Sequence, residues 1–279
     1  MGSDDAAEEV ASALTVSVGA GVATVVVDAG PVNLMTVPVY LELAAVIDRL
    51  AADGDVRVVV FRSANPEWFI AHFDVAAILE FPSEPTAPPT ELSTYHLMCE
   101  SLRRMPKATI AVIEGRVGGG GSEVALSCDM RFAGPDAVFN QPEVALGIIP
   151  GGTGTVRLPR LIGRSRALEA ILGCDDIDAV TAERWGWVNR VLPADELGPF
   201  VDRLAARLAS FPPHAVAAAK ASVVRAEVGV VEDLLAESHA FSGTLADPST
   251  RAAMTNFLAR GGQTPEGERR LGELAAELG

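Results

Sequence analysis

The segment Ile113–Asp129, IEGRVGGGGSEVALSCD, limits what this chain can fold into more than any other stretch. The apolar run Thr109 to Ile113 reads as a buried strand. It leads into four consecutive glycines, Gly118 to Gly121, and then directly into a helical stretch. Glycine has no β-carbon, so another molecule or another backbone can come close at this junction. The first N–H groups of a helix have no intrahelical partner and favour negative charge. They suit an oxyanion that develops in a transition state. Glu123 is expected in the first turn of this helix. Two readings stay open on these residues alone. The glycines and Glu123 form a catalytic element, or the glycines only permit tight helix–strand packing and Glu123 is a carboxylate favoured by the helix dipole.

Other glycine-rich elements do not fit. The segment lacks the GK[ST] ending of a P-loop and the G-x-G-x-x-G spacing of a dinucleotide fold. Ser122 follows the glycines, but no G-x-S-x-G surrounds it and a nucleophilic serine would also need a histidine partner, so it is not expected to be a nucleophile. A second informative segment is FNQPEVALGIIPGGTGTVRLPRLIG, Phe139 to Gly163. Glu143 follows a proline within apolar residues, where a carboxyl group has a raised pKa and can hold a proton near neutral pH. Taken alone, it reads more readily as a helix-start carboxylate than as a catalyst.

Around these segments the chain alternates short β-branched runs with helical stretches. Leu14 to Val18 and Val22 to Val27 flank Gly19–Ala20–Gly21 as a hairpin. A helix is predicted from Thr36, capped by that threonine and with Pro38 in its first turn. Val56 to Phe61 and Met130 to Ala133 read as further strands. Pro82, Pro85, Pro88 and Pro89 mark a surface loop. After about residue 195 amphipathic helices dominate. The expected organisation is a polar leader over residues 1–12, an α/β core over 13–195 and a helical region over 196–279.

Composition excludes several functions. The net charge of −15 argues against nucleic acid and against an anionic membrane surface. No apolar run approaches the roughly 18–20 residues that span a bilayer. The acidic N-terminus, MGSDDAAEEVAS, is not a secretory signal, so a cytoplasmic location is expected. Cys99, Cys128 and Cys174 are odd in number and unpatterned, and no metal site or disulfide is expected. With 49% apolar residues the chain can bury a large core.

The combination G-R-V-G-G-G-G-S-E-V-A-L-S-C-D, then Q-P-E-V-A-L-G-I-I-P-G-G-T-G-T-V-R-L, resembles the signature of the enoyl-CoA hydratase/isomerase, or crotonase, superfamily. Upstream P-V-N-L-M-T, D-V-R-V-V-V-F-R-S, W-F-I-A-H-F-D-V-A-A-I and P-K-A-T-I-A-V-I-E-G match it in the same order. The helical end, with P-H-A-V-A-A-A-K and N-F-L, matches more weakly. The resemblance runs over roughly residues 12–260, and ordered motifs are more specific than any one of them.

That resemblance implies an α/β fold, a crotonase-like spiral of β-β-α units with a C-terminal helical trimerisation region. The protein would be a homotrimer or a dimer of trimers. It implies an acyl-CoA thioester as substrate, its carbonyl oxygen held between the backbone N–H groups of Phe73 and Gly120. Glu123 and Glu143 would be the catalytic pair of a hydratase, which adds water to a 2-enoyl-CoA. Ala71, His72, Asp74 and Gly119 would contact the substrate. Coenzyme A would enter as part of the substrate, with no separate cofactor and no metal. Isomerisation, thioester hydrolysis, decarboxylation, C–C cleavage and a non-catalytic binding role are the alternatives. Three departures from the family pattern stand out. His72 occupies a position where glycine is usual, and its ring is expected to turn away from the substrate. Asp74–Val75–Ala76–Ala77 lacks the basic residue that often follows this motif. F-L-A-R-G-G-Q lacks the family's basic F-x-E-K-R-x-P, leaving Arg103, Arg104 or Lys107 as candidates to meet the CoA phosphates.

Overall fold

The computed structural model describes residues 12–84 and 87–278; the expected leader lies almost wholly outside them. The ten strands among the described residues are divided between two sheets. β1 (Leu14–Gly19), β2 (Val22–Val27), β3 (Val58–Ser63), β5 (Ala108–Ile113), β7 (Met130–Ala133) and β10 (Arg190–Val191) form one sheet in that order. β4 (Trp68–Ile70), β6 (Arg116–Gly118), β8 (Val138–Asn140) and β9 (Ile177–Asp178) form the other. From β3 to β8 the chain lays one strand in the first sheet and the next in the second. Helical residues follow before the pattern repeats, so successive turns stack as a spiral.

The sequence accounts for this arrangement. β1 and β2 pair antiparallel across the Ala20–Gly21 turn, where both residues have positive φ, as the predicted hairpin requires. The pairs β2–β3, β3–β5 and β5–β7 are parallel. Parallel neighbours need long crossovers, and helices supply them. All six residues of β5 are buried, as a nearly continuous apolar run demands in a sheet covered on both faces. The helix Val37–Ala52 starts as predicted: Thr36 caps Val39 N, and Pro38 lies in its first turn. The strand expected over 56–61 forms at 58–63, because Val56 N bonds to Asp53 O within the preceding turn.

From Ala194 onward the described residues form helices joined by short turns, with no strand among them. The helix Ala194–Ala209 buries Leu197, Val201 and Ala205 on the outer face of the first sheet, against Val58, Val60 and Ile110. The helices Pro248–Ala259 and Leu271–Ala276 bring Met254, Phe257, Leu271 and Leu274 onto Val75, Ile78, Leu146 and Ile148. The C-terminal helices therefore cover the segments that carry Phe73 and Glu143. No helix among the described residues is long and apolar enough to cross a membrane.

Candidate active site

Two backbone N–H groups are set first. After β4, Met35 pairs with Phe73: Met35 N donates to His72 O and Asp74 N donates to Met35 O, each at 3.0 Å. A trans peptide points its C=O and N–H in opposite directions. Fixing His72 O on Met35 thus turns the Phe73 N–H the other way. The second group comes from the glycine run. Gly118 is the N-cap of the helix Gly119–Ser127 and Gly119 has φ +40°, a backbone region that favours glycine. A β-carbon at Gly121 would overlap the Ile70 carbonyl, so this helix lies directly against the end of β4. That approach brings Gly120 beside Phe73, where a β-carbon on Gly120 would lie 3.4 Å from Phe73 N. Neither Phe73 N–H nor Gly120 N–H has a hydrogen-bond partner among the described residues. The Tyr95 hydroxyl donates to Gly120 O at 2.8 Å and anchors this turn. Burial, first, and then neighbouring Cys99 and the two glutamates hold the Tyr95 hydroxyl well above its usual pKa, so it stays a donor.

The glycines were expected to precede the helix, but Gly119, Gly120 and Gly121 are themselves helical. Glu123 is consequently in the second turn and caps nothing. Packing against Ile70 overrides the poor helix propensity of glycine here. The Glu123 side chain reaches across to the loop after Pro150, and its Oε1 accepts from Gly152 N at 2.8 Å and Gly154 N at 2.9 Å. A β-carbon at Gly152 would overlap the Glu123 carboxylate, so only glycine allows this contact. Glu143 opens the short 3-10 turn Glu143–Leu146, which Gly147 ends in the left-handed region. It is thus both a turn-start carboxylate and a cavity residue. Its Oε2 is buried without a partner among the described residues.

Both carboxyls are perturbed in the direction the sequence suggested for Glu143. Burial and then the charge of Glu237 raise Glu123 to about 7, against the pull of the two glycine N–H groups. Burial and then the charge of Glu123 raise Glu143 to about 8. The two glutamates, Phe73, Gly120 and His72 line one cavity of about 260 Å³. Tyr40, Phe81, Ile148 and Phe241 supply much of its apolar wall. A larger groove of about 720 Å³ lies under the helix Pro213–Val224 and contains none of these groups.

The remaining expected contacts divide. The His72 ring turns toward the C-terminal helices: Nδ1 is 2.8 Å from Phe73 O, and Nε2 is 3.0 Å from Glu268 Oε1. A carbonyl and a carboxylate both accept, so both ring nitrogens carry hydrogen and the ring is a cation. Burial alone would lower its pKa, but the Glu268 charge and hydrogen bond outweigh that and raise it to about 9. Ala71 lies outside the cavity with its N–H directed at Val32 O and Asn33 O, and Gly118 packs on its carbonyl. Asp74 caps the helix Val75–Ile78 through Ala76 N and accepts from Gln263 Nε2. Gly119 sits behind the cavity, where a β-carbon would meet Glu143 Oε1.

The three candidate phosphate ligands each have partners within the chain. Arg103 pairs with Glu100 and Glu227, Arg104 with Glu100, and Lys107 bonds to the carbonyls of Leu50 and Asp53. All three cysteines are free and buried. The sequence reading missed Tyr95, His96, Glu237 and Glu268. None stands in a local motif; each reaches the site from a distant part of the chain.

Residues 17–265 match the family described as enoyl-CoA hydratase/isomerase. The chain is 33% identical over 233 residues to the short-chain-enoyl-CoA hydratase of Clostridium acetobutylicum, covering 82% of this chain and 87% of that protein. It is 31% identical to the crotonyl-CoA hydratase of Syntrophomonas wolfei, with the same coverage. A crystal structure of a candidate enoyl-CoA hydratase from Streptomyces avermitilis superposes with a TM-score of 0.87 at 40% identity, covering 96% of this chain and 98% of that one. On that match over most of its length, and with the strand arrangement of the fold in place, this chain belongs to the enoyl-CoA hydratase/isomerase family of enzymes.

Proposed function

We propose that this enzyme is an enoyl-CoA hydratase, adding water syn across the double bond of a 2-enoyl-CoA. The observation that carries this reading is the pairing of two buried, perturbed carboxyls, Glu123 and Glu143, in the same cavity as the free N–H groups of Phe73 and Gly120. The thioester oxygen binds between those N–H groups. They stabilise the enolate more than the ground-state carbonyl, because its oxygen carries more negative charge.

The environments assign the two carboxyls different work. Glu123 accepts two N–H bonds on one oxygen, which favours the carboxylate, so it is the base that takes a proton from water as the oxygen bonds to Cβ. Glu143 has no such donors on its buried Oε2 and is protonated at neutral pH, so it delivers a proton to Cα. The C=C π bond is lost, Cβ gains a C–O bond and Cα gains a C–H bond, and these formal changes cancel, so no oxidant or reductant is needed. One proton has left Glu143 and one has reached Glu123, and exchange within the coupled pair restores the starting state. Coenzyme A takes part only as the substrate's thiol, and no separate cofactor is required.

The names of the two curated relatives support a short acyl chain, and the small apolar cavity is consistent with one. The purified protein should hydrate crotonyl-CoA, followed by loss of the conjugated enoyl-thioester absorbance, faster than longer 2-enoyl-CoAs. Isomerisation of a 3-enoyl-CoA without hydration of any 2-enoyl-CoA would overturn the assignment.

A further inference from the structure

The loop that holds Glu123 is itself gripped from behind by two buried side chains outside the reacting groups. His96 lies on the helix Thr94–Arg104, and Glu237 lies on the helix Val230–Leu245 in the C-terminal region. His96 Nε2 is 3.0 Å from Gly151 O and 3.1 Å from Glu237 Oε2. Both of those atoms accept, and His96 Nδ1 is buried without a partner among the described residues. The hydrogen therefore sits on Nε2 and is shared between the two acceptors. The other oxygen of Glu237 accepts from Val156 N at 3.1 Å and from the Thr155 hydroxyl. Glu237 is 4% exposed and lines no part of the cavity.

Residues 151–156 are thus clamped on one side by His96 and Glu237. On the other side Gly152 and Gly154 offer their N–H groups to Glu123. We propose that Glu237, with His96, is the positioning residue for Glu123: it sets the loop whose two N–H groups hold the base, and it places a fixed charge behind that base. This inference rests on the reading of Glu123 as the base of the hydration.

The electrostatics are consistent with that geometry. After burial, Glu237 is the main influence raising Glu123 to about 7. The other ionisable groups that face Glu123 are Glu143 from the 3-10 turn and Tyr95, His96 and Cys99 from the helix Thr94–Arg104. None of these residues is itself altered by a substitution at Glu237. A purely structural weld would alter stability and leave the ionisation of Glu123 where it is. A positioning residue alters both turnover and that ionisation.

Glu237→Gln keeps the size, removes the charge and offers a donor where Val156 N–H, Thr155 and His96 already donate. It should lower kcat by about 10- to 100-fold, the scale of a small misplacement of a catalytic group, with KM little changed. The acidic limb of kcat/KM should move to lower pH, because less negative charge faces the Glu123 carboxylate. Infrared titration reads the same ionisation with no substrate present. The protonated-carboxyl band that disappears in Glu123→Gln should titrate at lower pH in Glu237→Gln than in the parent protein. Glu237→Asp keeps the charge but draws it back by one methylene. It should lower kcat with a smaller displacement of the band, and it carries the test if the Gln variant does not fold. A folded Glu237→Gln with an unmoved band, or a folded Glu237→Asp with parental kcat, would overturn the proposal. If the parent protein hydrates no thioester, the hydratase reading fails, while the infrared titration still decides the coupling.

Discussion

Glu123 and Glu143 lie in one small cavity at a cost, since each must leave water and each faces the other. Their shifts to about 7 and about 8 express that cost. A carboxyl whose pKa is higher folded than unfolded favours the folded state at low pH. That contribution is lost as pH rises from the ordinary carboxylate value of about 4.5 through about 8. Glu143→Gln behaves as a permanently neutral carboxyl and escapes the loss. Its Tm should match the parent protein at pH 4.5 and exceed it increasingly up to about pH 9, as thermal unfolding at several pH values will read. The same substitution should cut turnover by about 10²–10⁴-fold, and so should Glu123→Gln. The double variant should lose much less than the product of the single effects, because the two carboxyls act as one unit. These two residues and Gly120 were legible in the sequence because each sits in a short ordered motif. Glu237 and Glu268 were not. Their partners His96 and His72 lie 141 and 196 positions away, and nothing local marks such a pairing.

At the level of elements, strands and helix caps followed from local chemistry, as with the hairpin at Ala20–Gly21 and the cap at Thr36. The glycine run did not, because Ile70 holds Gly121 in a helix its own propensity disfavours. Gly121→Ala forces a β-carbon into the Ile70 carbonyl, and should cost at least the about 1–3 kcal/mol typical of overpacking while displacing Gly120. Gly173→Ala, at a helix end where a β-carbon meets nothing within 4 Å, should be neutral or slightly stabilising and leave kcat unchanged. Urea unfolding and turnover of both variants will check the contrast. A second link between elements is the His72–Glu268 pair, which joins the helix Pro265–Arg269 to the segment that aims Phe73 N–H. His72→Leu leaves a buried carboxylate without its cation and should destabilise by about 3–5 kcal/mol. Replacing both partners with leucine should recover part of that loss in urea unfolding at pH 7. Both ring nitrogens of His72 are engaged by Phe73 O and Glu268.

For the molecule as a whole, the C-terminal helices differ in how they pack. Those after residue 248 pack over the site of their own chain through Met254, Phe257 and Leu271. The helix Pro213–Val224, by contrast, buries none of its residues within the chain, although it is largely alanine and valine. Val223 is 73% exposed at its end and Val228 just beyond it is 80% exposed, while Leu172 on the helix Arg164–Gly173 is 62% exposed. Isolated apolar residues on a surface are ordinary, but a whole helix of them beside a groove of about 720 Å³ fits an interface between copies. The expected assembly is a trimer or a dimer of trimers. A permanent contact of that kind buries on the order of 2,000 Å² or more, so it should persist at micromolar concentration in analytical ultracentrifugation. Val223→Glu places a charge where the subunits would meet while disturbing no packing within the chain, and should shift the sedimenting species toward monomer without loss of helical circular dichroism. A parent protein that sediments as a stable monomer would instead assign the exposed helix to some other use and remove the trimer from the description.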